Sequence, residues 1–245
     1  MGPDGPLTDL SRLPPSIGWD KSFPSISEKG VILMRASAAQ KVDPAHATLW
    51  ARHYPGHDMI GTRTFGFWLY MLTDAMVYAA LFASLGVLSH VVNLAGGPSP
   101  SAFINPVYAY GETITLFLSV LIYGYSMVAL KNGNHSGVIG SMFAAMLLGM
   151  VYLVIAGIDI REMFAQGIIP EASGFLSIFF TIIIYHALHI IVGVVWMLVM
   201  MIQVAREGFS ANVVYRLINL RLFWHFQAVI WVFVFTFVYL QGMVV

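Results

Sequence analysis

Residues 138–160 read VIGSMFAAMLLGMVYLVIAGIDI, a run of apolar and small residues whose first charge is Asp159. An α-helix rises about 1.5 Å per residue, so about 20 such residues cross a hydrocarbon core roughly 30 Å thick. This one run therefore fits a membrane span. Outward from it, about 65–92, 103–130, 175–205 and 222–244 have the same character. None shows the alternation of a lipid-facing barrel strand, and an unpaired sheet edge has no partner in lipid, so each run predicts a helix. The expected fold is all-α: a polytopic bundle of five transmembrane helices.

Composition agrees. Hydrophobic residues make up 58% of the 245, charged residues 10%, and cysteine is absent, with a mean hydropathy of +0.78. Soluble domains carry about 25% charged residues, so this chain cannot coat a globule of its size with a solvated surface. Without cysteine there are no disulfides, thiolate metal sites or cysteine nucleophiles. A net charge of zero argues against a nucleic-acid partner.

The segments between the runs are short and carry turn residues: Gly96 to Pro100, Lys131 to Asn134, and Gly167 to Gly174. Helices joined in this way are expected to be antiparallel neighbours packed in sequence order. Residues 1–60 differ, being rich in proline and lacking a long apolar run; they predict an extended tail outside a transmembrane domain of residues 61–245. Their lack of a signal-peptide apolar core predicts that they are not cleaved. The tail, second loop and fourth loop share one side, holding every basic residue except Arg161. The bias persists without the tail, as Lys131, Arg206, Arg216 and Arg221 against Arg161. The positive-inside rule then puts the N-terminus in the cytoplasm and the C-terminus on the periplasmic side.

Small residues mark where helices approach closely in lipid. Gly137, Ser141, Ala145 and Gly149 form one such seam on the third span, and Ala75, Ala79 and Ala83 another on the first. Trp68, Tyr108, Tyr110, Trp224 and Tyr239 lie near predicted span ends, as interfacial aromatics do, whereas Trp196 and Trp231 lie deeper and are expected to pack.

Ionisable groups within a span need a partner or a neutral form. Asp74 and Glu112 each lie about nine residues into a span, near mid-membrane. They could relay protons, but few polar neighbours are in sight, which favours a hydrogen-bonded structural role. His186 and His189 share a helix face at a spacing of three, and His225 begins the last span. The three could form a metal site, although no carboxylate accompanies them, and packing between helices is the expectation. Asp159 and Glu162 flank Arg161 where the third span emerges, which predicts a solvated helix end. No phosphate-cradling glycine loop, nucleophile–base pair or zinc spacing is present. The residues alone describe either a small proton-coupled transporter or a subunit whose partner supplies the chemistry.

Six strings occur in order: Phe65-Gly66-Phe67-Trp68-Leu69-Tyr70 leading to Thr73-Asp74; Gly111-Glu112-Thr113; Gly157-Ile158-Asp159-Ile160-Arg161-Glu162; Ser173-Gly174-Phe175-Leu176; His186-Ala187-Leu188-His189; and Leu222-Phe223-Trp224-His225-Phe226 with Val229-Ile230-Trp231. Over about residues 62–243 the chain resembles subunit III of the haem–copper terminal oxidases. It is most similar to the five-helix form found in cytochrome bo-type ubiquinol oxidases. The resemblance implies a non-catalytic subunit in the bacterial inner membrane. Haem, copper and ubiquinol would belong to partner subunits, with no cofactor or metal in this chain. The implied partners are the haem–copper subunit I, subunit II, a small subunit IV and membrane phospholipids. Asp74 and Glu112 would support proton uptake by subunit I, while His186, His189, His225, Asp159 and Glu162 would be polar groups between helices or beside lipid. Membership of a cytochrome c oxidase or a nitric oxide reductase complex is the alternative within the family. The chain departs from the family pattern at Ala228, where an aspartate is usual, and at Asp159, where a glutamate is usual; the first removes a polar neighbour expected near His225.

Overall fold

A computed structural model describes residues 59–89, 100–240 and 242. The expected tail therefore lies outside the described residues, except for its last two, which already belong to the first helix. Every regular element described is helical: α1 (Met59–Leu88), α2 (Pro106–Lys131), α3 (His135–Ala165), α4 (Gly174–Glu207) and α5 (Ala211–Val234), the last continuing as a π-helix over Phe235–Leu240. All five are long and apolar enough to cross a membrane.

The helix starts are written in short polar side chains that accept a hydrogen bond from otherwise unpaired backbone N–H groups. Asn105 accepts from Val107 at 3.0 Å, Asn134 from Gly137 at 3.0 Å, Ser173 from Leu176 at 3.1 Å and Ser210 from Val213 at 3.3 Å. These caps correct two expected boundaries. Phe103 belongs to a separate turn, Pro100–Phe103, and α2 starts at Pro106, immediately after its cap. The last helix begins at Ala211 rather than 222. Arg216, Asn219 and Arg221 lower the hydropathy of its first turns without breaking the helix. The fourth connection thus shrinks to Gly208-Phe209-Ser210, where Gly208 takes φ +64, a left-handed conformation suited to a residue without Cβ. Arg216 lies on the helix and donates to Gln203 at 2.9 Å. With 34 residues, α4 is about 51 Å long and outruns the hydrocarbon.

Cross-helix contacts identify the two ends of the bundle. One gathers Arg63, Tyr215 and Asn212 with His135 and Phe209; the other gathers Tyr108, Glu162, Phe164 and Phe180. Packing follows the chain from α2 through α3 and α4 to α5, with the α2–α3 contact the most extensive. α1 departs from the expected sequence-order packing: it lies against α4 and α5 and makes no substantial contact with α2. Its partners explain this. The buried stripe on α1 is Met71, Asp74, Tyr78 and Leu85, and Asp74 finds its polar partners on α4. The expected alanine seam on α1 is corrected accordingly, since Ala79 and Ala83 are exposed. The seam on α3 is found over three of its four residues, with Ser141, Ala145 and Gly149 buried and Gly137 half-buried.

Trp224 occupies that seam. Its indole is fully buried and donates from Nε1 to Ser119 Oγ at 3.1 Å, while Ser119 donates to the Ala145 carbonyl at 2.7 Å. The ring fills the space a side chain would need at two glycines: a Cβ on Gly193 would lie 2.4 Å from it, and one on Gly149 3.1 Å. One side chain of α5 thereby touches α2, α3 and α4. Trp224 and Tyr239, expected at the interface, are both core residues, as is Trp231. Trp68 and Tyr110 are exposed.

Overpacking a close contact costs about 1–3 kcal/mol. Gly193→Ala is therefore expected to lower the denaturation midpoint of the purified membrane protein. Gly157→Ala, with nothing within 4 Å of the added carbon, is expected to leave it unchanged or raise it. Equal midpoints for the two variants would remove the indole lock.

Candidate functional site

The polar interior is divided between helices into two clusters with a histidine between them. In the first, Tyr185 donates its hydroxyl to Asp74 Oδ1 at 2.8 Å, and His189 Nε2 lies 3.2 Å from the same oxygen. His189 Nδ1 sits 2.8 Å from the Tyr185 carbonyl. A carbonyl only accepts, so Nδ1 carries a hydrogen. The Nε2–Oδ1 approach is then attractive only with a second hydrogen between those atoms, whichever of the two holds it. The Asp74–His189 pair therefore keeps one proton between α1 and α4. Tyr185 and His189 are a helix turn apart, which puts both on the face that meets Asp74.

The second cluster joins α2, α3 and α5. The Tyr239 hydroxyl lies 3.5 Å from Glu112 Oε2 and 3.4 Å from Asp159 Oδ2. Its single hydrogen can serve only one carboxyl oxygen strongly at a time. Asp159 is 3% exposed, which corrects the expectation of a solvated helix end: α3 continues to Ala165, and α5 covers this face. Glu162 is one helical turn further on and accepts from Tyr108 at 2.6 Å. Glu112 is in the second turn of α2, about 9 Å from its start, so it lies nearer a helix end than mid-membrane.

His186 is fully buried between the clusters, with Tyr78, Tyr152 and Trp231 around its ring. His225 stands apart and hydrogen-bonds the Arg221 carbonyl of its own helix, at 2.9 Å from Nδ1. Among the described residues, no group of three or more histidines and acids is arranged to hold a metal ion. The structure thus pairs Asp74 with His189 and Glu112 with Asp159, places His186 between them, and leaves His225 and Glu162 outside both clusters. Ala228, where the resemblance implied an aspartate, is buried, and neighbouring Gln227, also buried, has no hydrogen-bond partner among the described residues for either side-chain polar atom.

Tyr78, Tyr152, Tyr185 and Tyr239 complete these clusters and were not among the candidates read from the sequence. Tyr78 and Tyr185 had a signal, each lying four residues from a candidate, Asp74 or His189. Tyr239 had none beyond its position near a predicted span end.

The model for cytochrome c oxidase subunit III matches residues 43–243. The chain belongs to the cytochrome c oxidase subunit III family. The family match begins earlier than the resemblance read from the strings and takes in the last part of the expected tail. A Pseudomonas putida protein named cytochrome bo(3) ubiquinol oxidase subunit 3 is 38% identical over 186 residues, covering 76% of this chain and 89% of its own. The Pseudomonas aeruginosa protein of the same name is 38% identical over 190 residues, 78% and 90% of the two chains. A probable quinol oxidase subunit 3 of Staphylococcus haemolyticus is 29% identical over 179 residues, 73% and 89%. With its five apolar helices, this subunit III family member is a multi-pass protein of the bacterial inner membrane, and the family belongs to oxidoreductase complexes.

Breaking one partner of a buried charged pair costs about 3–5 kcal/mol in soluble proteins, whereas interhelical hydrogen bonds in membranes average about 0.6 kcal/mol. Asp74→Asn, His189→Gln and the double variant are expected to give a stabilising coupling energy between these limits, about 1–2 kcal/mol, in a double-mutant cycle on unfolding in detergent. Additive effects would mean that the pair does not share the proton.

Proposed function

We propose that this chain is the non-catalytic subunit III of a bo-type ubiquinol oxidase, in which partner subunits oxidise quinol, reduce oxygen and pump protons. The observation that carries this is the match at 38% identity to 89–90% of the length of two relatives bearing that subunit's name. Composition supports it, since a chain with no cysteine lacks the thiolate ligands of a binuclear copper site. Haem and copper then reside in subunit I, with subunit II and a small subunit IV completing the complex.

In this reading α1 to α5 brace subunit I within the bilayer. The end carrying Arg63, Lys131, Arg206, Arg216 and Arg221 faces the cytoplasm, which puts residues 1–60 there and the C-terminus in the periplasm. Asp74 and Glu112 support proton uptake by holding polar interior in a fixed arrangement, and exposed aliphatic faces such as Ile114, Leu121 and Val154 meet phospholipid or the neighbouring subunit.

Purification through an affinity tag on this chain tests the assignment. The expected preparation contains a haem-bearing subunit I, a subunit II without a copper-binding cysteine pair, and ubiquinol oxidase activity. This chain separated from its partners should show no haem absorbance. A subunit II carrying that cysteine pair would move the chain to a cytochrome c oxidase, and stoichiometric haem on the isolated chain would end the non-catalytic reading.

A further inference from the structure

Both ring nitrogens of His186 are buried without a hydrogen-bond partner among the protein groups described, as are the hydroxyls of Tyr78 and Tyr152, Asp74 Oδ2 and Glu112 Oε1. These five residues come from α1, α2, α3 and α4 and form one connected region. The His186 ring centroid is 5.9 Å from that of Tyr152 and 6.4 Å from that of Tyr78. Asp74 bonds Tyr185, whose ring centroid is 5.0 Å from that of Tyr78, and Glu112 faces Tyr239, whose ring packs on Trp231 at 5.9 Å, itself 5.2 Å from Tyr152.

Leaving a buried polar group unpaired costs about 1–3 kcal/mol, more in a purely apolar setting. Six such atoms in one region would be a heavy load for a bundle stabilised mainly by packing. Their chemistry is complementary. A neutral imidazole offers one donor and one acceptor, each phenol can donate and accept, and the free carboxyl oxygens accept. A bridging group must both donate and accept, carry no charge and be very small. Water meets those conditions, and buried water typically makes about three hydrogen bonds to otherwise unpaired groups.

We propose that His186 anchors an internal water site that hydrogen-bonds its two nitrogens to the hydroxyls of Tyr78 and Tyr152 and extends to Asp74 and Glu112. The site links the Asp74–His189–Tyr185 cluster to the Glu112–Asp159–Tyr239 cluster. A change of charge or hydrogen bonding at one cluster is then transmitted to the other through the bridging waters. Tyr152 is the positioning residue for the Glu112 side and Tyr78 for the Asp74 side. The assignment does not depend on which oxidase the chain serves, because it concerns groups within this chain alone.

The intact complex provides two tests. In a map resolving ordered solvent, density is expected within about 2.7–3.2 Å of both His186 nitrogens. A dry imidazole, with its N–H directed at the face of Tyr152 or Trp231, would overturn the site. Infrared difference spectroscopy reads the link itself, with the Glu112 carboxyl band identified by its loss in Glu112→Gln. His189→Gln is expected to shift that band, and Tyr152→Phe, which keeps the ring and removes only the hydroxyl, is expected to abolish the shift. If His189→Gln leaves the band in place, or the shift survives Tyr152→Phe, the water link is wrong. Tyr78→Phe provides the same test from the Asp74 side should the Tyr152 variant fail to assemble.

Discussion

The bundle is organised around the Trp224 indole. Lipid gives helices no hydrophobic reason to associate, so their arrangement depends on close packing and on polar groups that find partners only between helices. Trp224 combines both. Its ring needs the absent side chains of Gly149 and Gly193, and its N–H reaches Ser119, whose own hydroxyl is committed to the α3 backbone. With α5 fixed in this way, Tyr123 of α2 can reach the Leu217 carbonyl, and Trp231 can donate to Thr113. α5 is the element through which the others are held in register, and half of the most apolar stretch of this helix is buried.

α1 is attached differently. Only 22% of its most apolar stretch is buried, and its hold on α4 runs through the Asp74 pair together with aromatic contacts such as Phe67 on Trp196 and Tyr78 on Tyr185. A polar bond in a low-dielectric setting is directional, so it fixes rotation about the helix axis, which apolar packing alone leaves loose. This accounts for α1 turning Asp74 inward and leaving Ala79 and Ala83 outside, although the alanine spacing reads as a contact seam.

Much of this is legible in the sequence, and the exceptions have physical reasons. Hydropathy finds the five spans because it reports immersion in lipid, but it misplaces the start of α5, where Arg216 and Arg221 ride on a helix longer than the hydrocarbon core is thick. Gly208 and Ser210 mark the true turn, and they are readable once capping is weighed above hydropathy. Asp74, Glu112, His186 and His189 are identifiable as interior polar groups because charge is scarce in a span. Their pairing is not, because whether Asp74 meets His189 or Glu112 depends on which helix α1 packs against, a long-range choice that local spacing leaves open. Trp224 and Tyr239 are misread for a related reason: closeness to a predicted span end does not say which way a side chain faces.

The π-helix over Phe235–Leu240 carries a further consequence. A wider turn accommodates one more residue than an α-turn of the same height, and it often arises where a residue has been gained within a regular helix. Each residue of an α-helix advances the azimuth by about 100°. Removing one residue before Tyr239 would therefore be absorbed by the turn closing to an ordinary α-turn, whereas adding one would swing the phenol away from Glu112 and Asp159, while every apolar residue of that turn remained apolar. Hydrophobicity would not register the change. This stretch is consequently constrained by residue count rather than by residue type: it can exchange one aliphatic side chain for another, and it has slack for the loss of one residue, but an added residue would separate the two carboxyl groups from the hydroxyl that faces them both.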